Sequence, residues 1–214
     1  MKAMQLNTRV YGGPLRKVVQ DLYTAKSVFL DPYTFFQTAR DRGEAVDVVR
    51  YYVVMSVILA ILTPVANVLG FPSDVIHAST NAQMTAYKFA PVFEQYTGAS
   101  RHLWTALLTI VFMVLKLPVF TAFYHVSARL LGGKGGWLQS LRMTVYAATP
   151  AMVFGWVPYS DFLFGLWAGL LAVPALYYLH GVPWGRATVY ASFLLGFQIL
   201  YVILTGGGWL IEPE

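Results

Sequence analysis

With 214 residues, 57% of them hydrophobic and only 12% charged, the chain carries about half the charge a soluble domain of its length uses to keep its surface in water. Its mean hydropathy of +0.55, with the charges gathered into a few segments, leaves long stretches whose natural solvent is lipid. The lack of cysteine excludes disulfides, cysteine-ligated zinc and thiol chemistry, and the net charge of +5 reads as topological, since the basic residues flank apolar segments and form no nucleic-acid patch.

Residues 1–48 contain no continuous apolar run, so they read as a cytoplasmic, interfacial segment and not as a cleavable signal; the first span is expected to be both signal and anchor. Pro14 to Leu30 places Leu15, Val18, Val19, Leu22, Ala25 and Phe29 at helical spacing, with Arg16, Lys17, Gln20 and Asp21 mostly opposite, which predicts an amphipathic helix. Asp31-Pro32 is a cap followed by proline at the first helical position, opening a short helix that presents Phe35, Phe36 and Ala39. Both helices are expected at the inner membrane surface, with Asp31, Pro32, Phe35 and Phe36 interfacial; packing under the bundle is the compatible plainer reading.

Five spans follow, at about 49–70, 103–131, 137–157, 162–179 and 187–204, forming one domain over 49–206 with a short outer tail at 207–214. The loop from Phe71 to His102 has an apolar middle, Ala82 to Tyr96, suited to a short helix on or re-entering the outer surface. The second span is longer than the ~20 residues that cross hydrocarbon, which predicts tilt, a kink at Pro118 or extension past the inner face. Gly132 to Gly136 reads as a flexible turn, and Pro150 interrupts the third span. With the N-terminus inside, twelve of the fifteen Lys and Arg fall on inner segments and only Lys88 and Arg101 outside. That bias predicts a cytoplasmic N-terminus and an outer C-terminus.

Lys116 stands near the middle of the otherwise apolar second span, where a lysine costs a few kcal/mol unless protein or water receives it. Two readings fit: an anion or proton-linked site between helices, or a structural amine that satisfies carbonyls freed by Pro118 or snorkels from a tilted helix. His125, Tyr146 and Pro150 complete the intramembrane candidates. Gly165 with Gly169, and Ser192 with Gly196, allow close helix approach. Prolines 64, 118, 150 and 174 put one break in each of the first four spans, a pattern that can build a transporter site. The four histidines lack metal-ligand spacing, and no nucleophile motif, phosphate loop or paired intramembrane acids appear, so no enzyme activity, cofactor or metal is expected.

Leu30-Asp31-Pro32-Tyr33-Thr34-Phe35-Phe36 resembles the segment before the first span of prokaryotic Yip-family proteins, relatives of the eukaryotic Ypt/Rab-interacting membrane proteins. Val145-Tyr146-Ala147-Ala148-Thr149-Pro150 resembles that family's tyrosine–small–proline motif, and Trp167 and the turn into Arg186-Ala187 also fit. The resemblance, over about residues 28 to 206, implies a five-span bundle with a cytoplasmic N-terminus in a prokaryotic inner membrane. The eukaryotic Asp-Leu-Tyr-Gly-Pro motif is absent, which argues against a GTPase partner. The expected function is a non-catalytic scaffold or adaptor that binds a membrane protein or itself, or organises the bilayer. The alternatives are a small-solute transporter or channel built on Lys116 and an accessory subunit of a larger membrane complex.

Overall fold

The computed structural model describes residues 14–41, 43–68, 99–157 and 160–206, which form eight helices and no strands. In chain order these are α1 (Pro14–Leu30), α2 (Pro32–Ala39), α3 (Ala45–Val68), α4 (Ala99–Leu130), α5 (Trp137–Ala147), α6 (Thr149–Phe154), α7 (Ser160–His180) and α8 (Trp184–Gly206). The surface helix expected within 82–96, the Pro158-Tyr159 turn and the tail at 207–214 lie outside the described residues.

Local chemistry accounts for the boundaries. Asp31 accepts a hydrogen bond from the Thr34 amide at 3.2 Å, and Pro32 opens α2 where no amide hydrogen is needed. Gly181, at φ +67°, ends α7 in a conformation that an L side chain resists. Four prolines suggested four broken spans, yet α3, α4 and α7 run through Pro64, Pro118 and Pro174 as continuous helices. Among these four prolines the break occurs only before Pro150, where α5 stops at Ala147 and α6 starts at Thr149; the missing N–H, which all four share, permits a break without dictating one. Gly132 to Gly136 is packed and not loose. Gly133 donates to Ala128 O at 2.7 Å and Lys134 to His180 O at 2.7 Å, pinning the turn on the end of α7.

Helix α5 is central and touches α3, α4 and α7, with Ser140 through Ala147 all buried. α4 packs on α3 and α5, and α8 on α7. The ends where α4 meets α5 and α7 meets α8 lie together with the α2–α3 connection, here called the basal end. The outer surface is apolar for most of its length. On α4, Leu107, Val111, Val114, Leu115, Val119, Phe123 and Val126 are exposed. Among the described residues two helical stretches are long and apolar enough to cross a membrane, Ala45–Ala66 and Ala106–Leu130, and only 33% and 11% of their most apolar stretches are buried. The core helix of a soluble protein would be mostly covered, whereas these exposed apolar faces suit lipid.

The N-terminal helices are built into the bundle. Val28, Phe36 and Ala39 are fully or almost fully buried, and Phe35 meets Tyr146 edge-on at 4.8 Å. Phe35 and Phe36 therefore turn inward and do not sit among headgroups, because α2 lies against α7. Tyr33 stacks on Trp184 at 5.8 Å, and Phe29 reaches Phe154 at 5.3 Å and Trp167 at 6.2 Å. Phe154 closes α6, beyond the break that ends α5 at Ala147, so the last turn of α1 lies against the flank of the bundle. Asp21, 3% exposed, fastens α1 to α3 through Arg50 at 3.4 Å.

Candidate functional site

The described helices line a half-open cavity of about 380 Å³, a volume typical of small-molecule sites. It exists because one wall is too short to fill the space. Ala147, Ala148 and Ala151 from α5, α6 and the break between them face Gly165, Ala168 and Gly169 of α7. Opposite stand Met113, Lys116, Leu117, Phe120 and Tyr124 of α4, and Leu194, Phe197 and Gln198 of α8. Tyr52, Thr144 and Met152 complete the lining.

The polar groups are few. Tyr52 donates its hydroxyl hydrogen to Met113 O at 2.9 Å, and Thr144 donates to Ser140 O at 2.8 Å, so both present only oxygen lone pairs to the interior. Besides the Tyr124 hydroxyl, the space is lined by the Lys116 amine and the Gln198 amide, both half-buried. Each sits about 21 Å of helix from the basal end of its own element, so they share a level near mid-bundle. No acidic residue is among the described residues lining the space.

The other intramembrane candidates are not gathered here. Pro118 is exposed on the outer face of α4. His125 is nearer the basal end, where its Nδ1 and the Ser140 hydroxyl are 2.9 Å apart; Ser140 in turn lies 3.4 Å from His180 Nε2. Tyr146 packs between Phe35 and Tyr51, and Pro150 is buried in α6. Asp31 and Pro32 cap α2 at the basal end. Gly165 and Gly169 do face α8: a Cβ at Gly165 would overlap Gln198 Nε2, and one at Gly169 would lie 2.7 Å from Leu195 Cδ2. Ser192 and Gly196 do not serve as their counterparts. Both are exposed, and nothing lies within 4 Å of where a Gly196 Cβ would be, because α8 offers Ala191, Leu195 and Gln198 to the bundle.

One residue that the charge count treated only as a topological marker has a structural part. Arg142 is 3% exposed and donates to Arg40 O, to Gly43 O at 2.6 Å and to Gln139 Oε1 at 3.0 Å. Its guanidinium thus closes the C-terminal end of α2 and the turn into α3. Among the described residues no group of three or more His, Asp or Glu side chains is gathered for a metal.

The family model described as the Yip1 domain matches residues 26–206. No curated protein and no solved structure matches the chain.

Proposed function

Because the chain belongs to the Yip1-domain family, we propose that it is a non-catalytic membrane scaffold or adaptor, a five-span protein of a prokaryotic inner membrane with its basal end in the cytoplasm and its C-terminus outside. Its partner is another membrane protein or a second copy of the chain. The observation that carries this reading is the fixed posture of α1. Asp21, Ala25 and Val28 are buried against the bundle, while Arg16, Lys17, Gln20 and Lys26 stand exposed. A helix held this firmly presents its charges in one geometry, which is what a docking surface needs.

Mild-detergent purification from native membranes is expected to recover one partner at fixed stoichiometry by mass spectrometry. Reversing the exposed charges (Arg16→Glu, Lys17→Glu and Lys26→Glu together) should release it without moving the thermal midpoint. A protein that purifies alone each time would overturn the adaptor reading. The absence of native cysteine makes the orientation directly measurable. A membrane-impermeant maleimide added to intact cells should label Glu212→Cys and spare Lys134→Cys; the opposite pattern would reverse the topology.

The cavity supports a second reading, passage of a small solute past Lys116. In proteoliposomes Lys116→Met should then abolish flux and leave folding intact, and a wild-type protein inert across a broad solute panel would end that reading.

A further inference from the structure

We propose that the basal corner where α4 ends and α8 begins binds an anionic glycerophospholipid. Its phosphate is held by Arg129, Lys134 and Arg186, and its chains lie along the exposed strips of α4 and α8. The inference rests on the membrane-spanning reading of the bundle, though not on any protein partner.

The corner is made by two connections far apart in the chain. Arg186 and Leu131 are 55 positions apart, yet Arg186 Nη1 donates to Leu131 O at 3.2 Å. A Cβ at Gly132 would lie 3.0 Å from the same nitrogen, so the guanidinium is laid over the start of the α4–α5 turn. The turn itself is fixed. Gly132 N donates to Arg129 O at 3.0 Å, and the Lys134 amide donates to His180 O at 2.7 Å. Arg186 thus covers a segment flanked on either side by a base, Arg129 in the last turn of α4 and Lys134 in the turn. All three side chains are exposed, and none makes an ion pair among the described residues. The Leu131 carbonyl occupies one N–H of the Arg186 guanidinium, and the rest of the fork has the geometry that suits phosphate oxygens.

The charge is local. No Asp or Glu occurs in residues 126–137 or 182–190. The α2–α3 connection, at the same end of the bundle, mixes its charges instead: Asp47 engages Arg50 at 2.7 Å, and Asp41 and Glu44 stand exposed nearby in the chain. Topology requires an excess of Lys and Arg on one face, and does not require three of them at one corner without an acid.

The surface that continues from the corner indicates its occupant. Arg186, Val189 and Phe193 follow the three–four spacing of one helix face, and the two apolar members are exposed at 71% and 68%. On α4, Phe123, Val126 and Leu130 form the matching strip, all exposed. Trp137 and Trp184, exposed beside the two connections, are rings of the kind that sit among headgroups. A soluble anion would meet only the basic part of this surface, and an acidic protein segment would leave the apolar strips uncovered. An amphiphile with a phosphate head satisfies both. A zwitterionic lipid brings its own ammonium, which the three bases repel, so the corner selects a headgroup of net negative charge.

The test uses the full chain in phosphatidylcholine nanodiscs doped with a phosphatidylglycerol that bears a diazirine near the start of one acyl chain. Saturable labelling should map to the basal peptides of α4 and α8. Unlabelled phosphatidylglycerol should compete, and phosphatidylethanolamine at the same mole fraction should not. Arg129→Gln with Lys134→Gln leaves the Arg186 bond to Leu131 in place. That double variant should need about tenfold or more phosphatidylglycerol for half-labelling, at an unchanged thermal midpoint. Arg186→Lys, which keeps the charge and loses the fork, should fall between it and wild type. Arg16→Gln with Lys17→Gln removes the same charge from α1 and should label as wild type does. Competition by phosphatidylethanolamine, wild-type labelling in the double variant, an equal loss in the α1 variant, or labelling spread evenly over the apolar surface would each overturn the proposal. The result is independent of whether a protein partner co-purifies, so this site and the adaptor reading can fail separately.

Discussion

Arg142→Ala is expected to lower stability in detergent by about 3 kcal/mol, because hydrogen bonds from a charged donor contribute roughly 1.5–3 kcal/mol each and several are lost together. The carbonyls of Arg40 and Gly43 would be left at the end of α2 and the turn into α3 without their guanidinium partner. Undocking of α2 should precede global unfolding. Limited proteolysis would then show faster cleavage near Gly43 at temperatures where tryptophan fluorescence still reports a folded bundle. Arg142→Lys should recover only part of the loss, since one ammonium cannot reproduce a planar fork aimed at two separate carbonyls. An alanine variant with the wild-type midpoint and cleavage rate would mean that α2 is held by its aromatic contacts alone.

The second large effect is expected at Gly135. A Cβ there would sit 2.5 Å from His180 Nδ1 and 2.8 Å from the Leu179 carbonyl oxygen. The carbonyl belongs to the helix backbone and cannot swing aside, so Gly135→Ala must lift the α4–α5 turn away from α7. Overpacking of this kind costs about 1–3 kcal/mol, and the cost here falls toward the upper end because the Lys134 N–H bond to His180 O would be strained too. Gly136→Ala is the matched control. Nothing lies within 4 Å of its Cβ position and its φ of −78° suits any residue, so its midpoint should stay within about 0.5 kcal/mol of wild type. Similar midpoints for the two variants would show that the turn is not pinned as described.

The limits of α1 and α2 were legible because they are written in local chemistry: proline at Pro14 and Pro32, a capping aspartate between them, and apolar residues at helical spacing. Pro150 marked the break in the third span, but Pro64, Pro118 and Pro174 lack the amide hydrogen equally and leave their helices continuous, so proline alone did not tell the broken span from the unbroken ones. What stayed hidden depends on contacts across the fold. Arg142 finds its carbonyl partners about a hundred residues away, and no spacing rule connects them. Small residues at Gly165 and Gly169 looked equivalent to Ser192 and Gly196, yet spacing defines a stripe without saying which way it points. The cavity is harder still to see in a sequence, because it is space left where six short side chains from three segments converge. Lys116 was the one part of it that stood out, since an amine in an apolar run is conspicuous in one dimension.

The inward burial of α2 also constrains the order of synthesis. Phe35 and Phe36 are enclosed by α5 and α7, whose last residues are made about 140 positions later. At 5–20 residues per second, translation leaves α2 without its final surroundings for roughly 7–30 s. The packing of α2 is therefore completed only after α7 has been made.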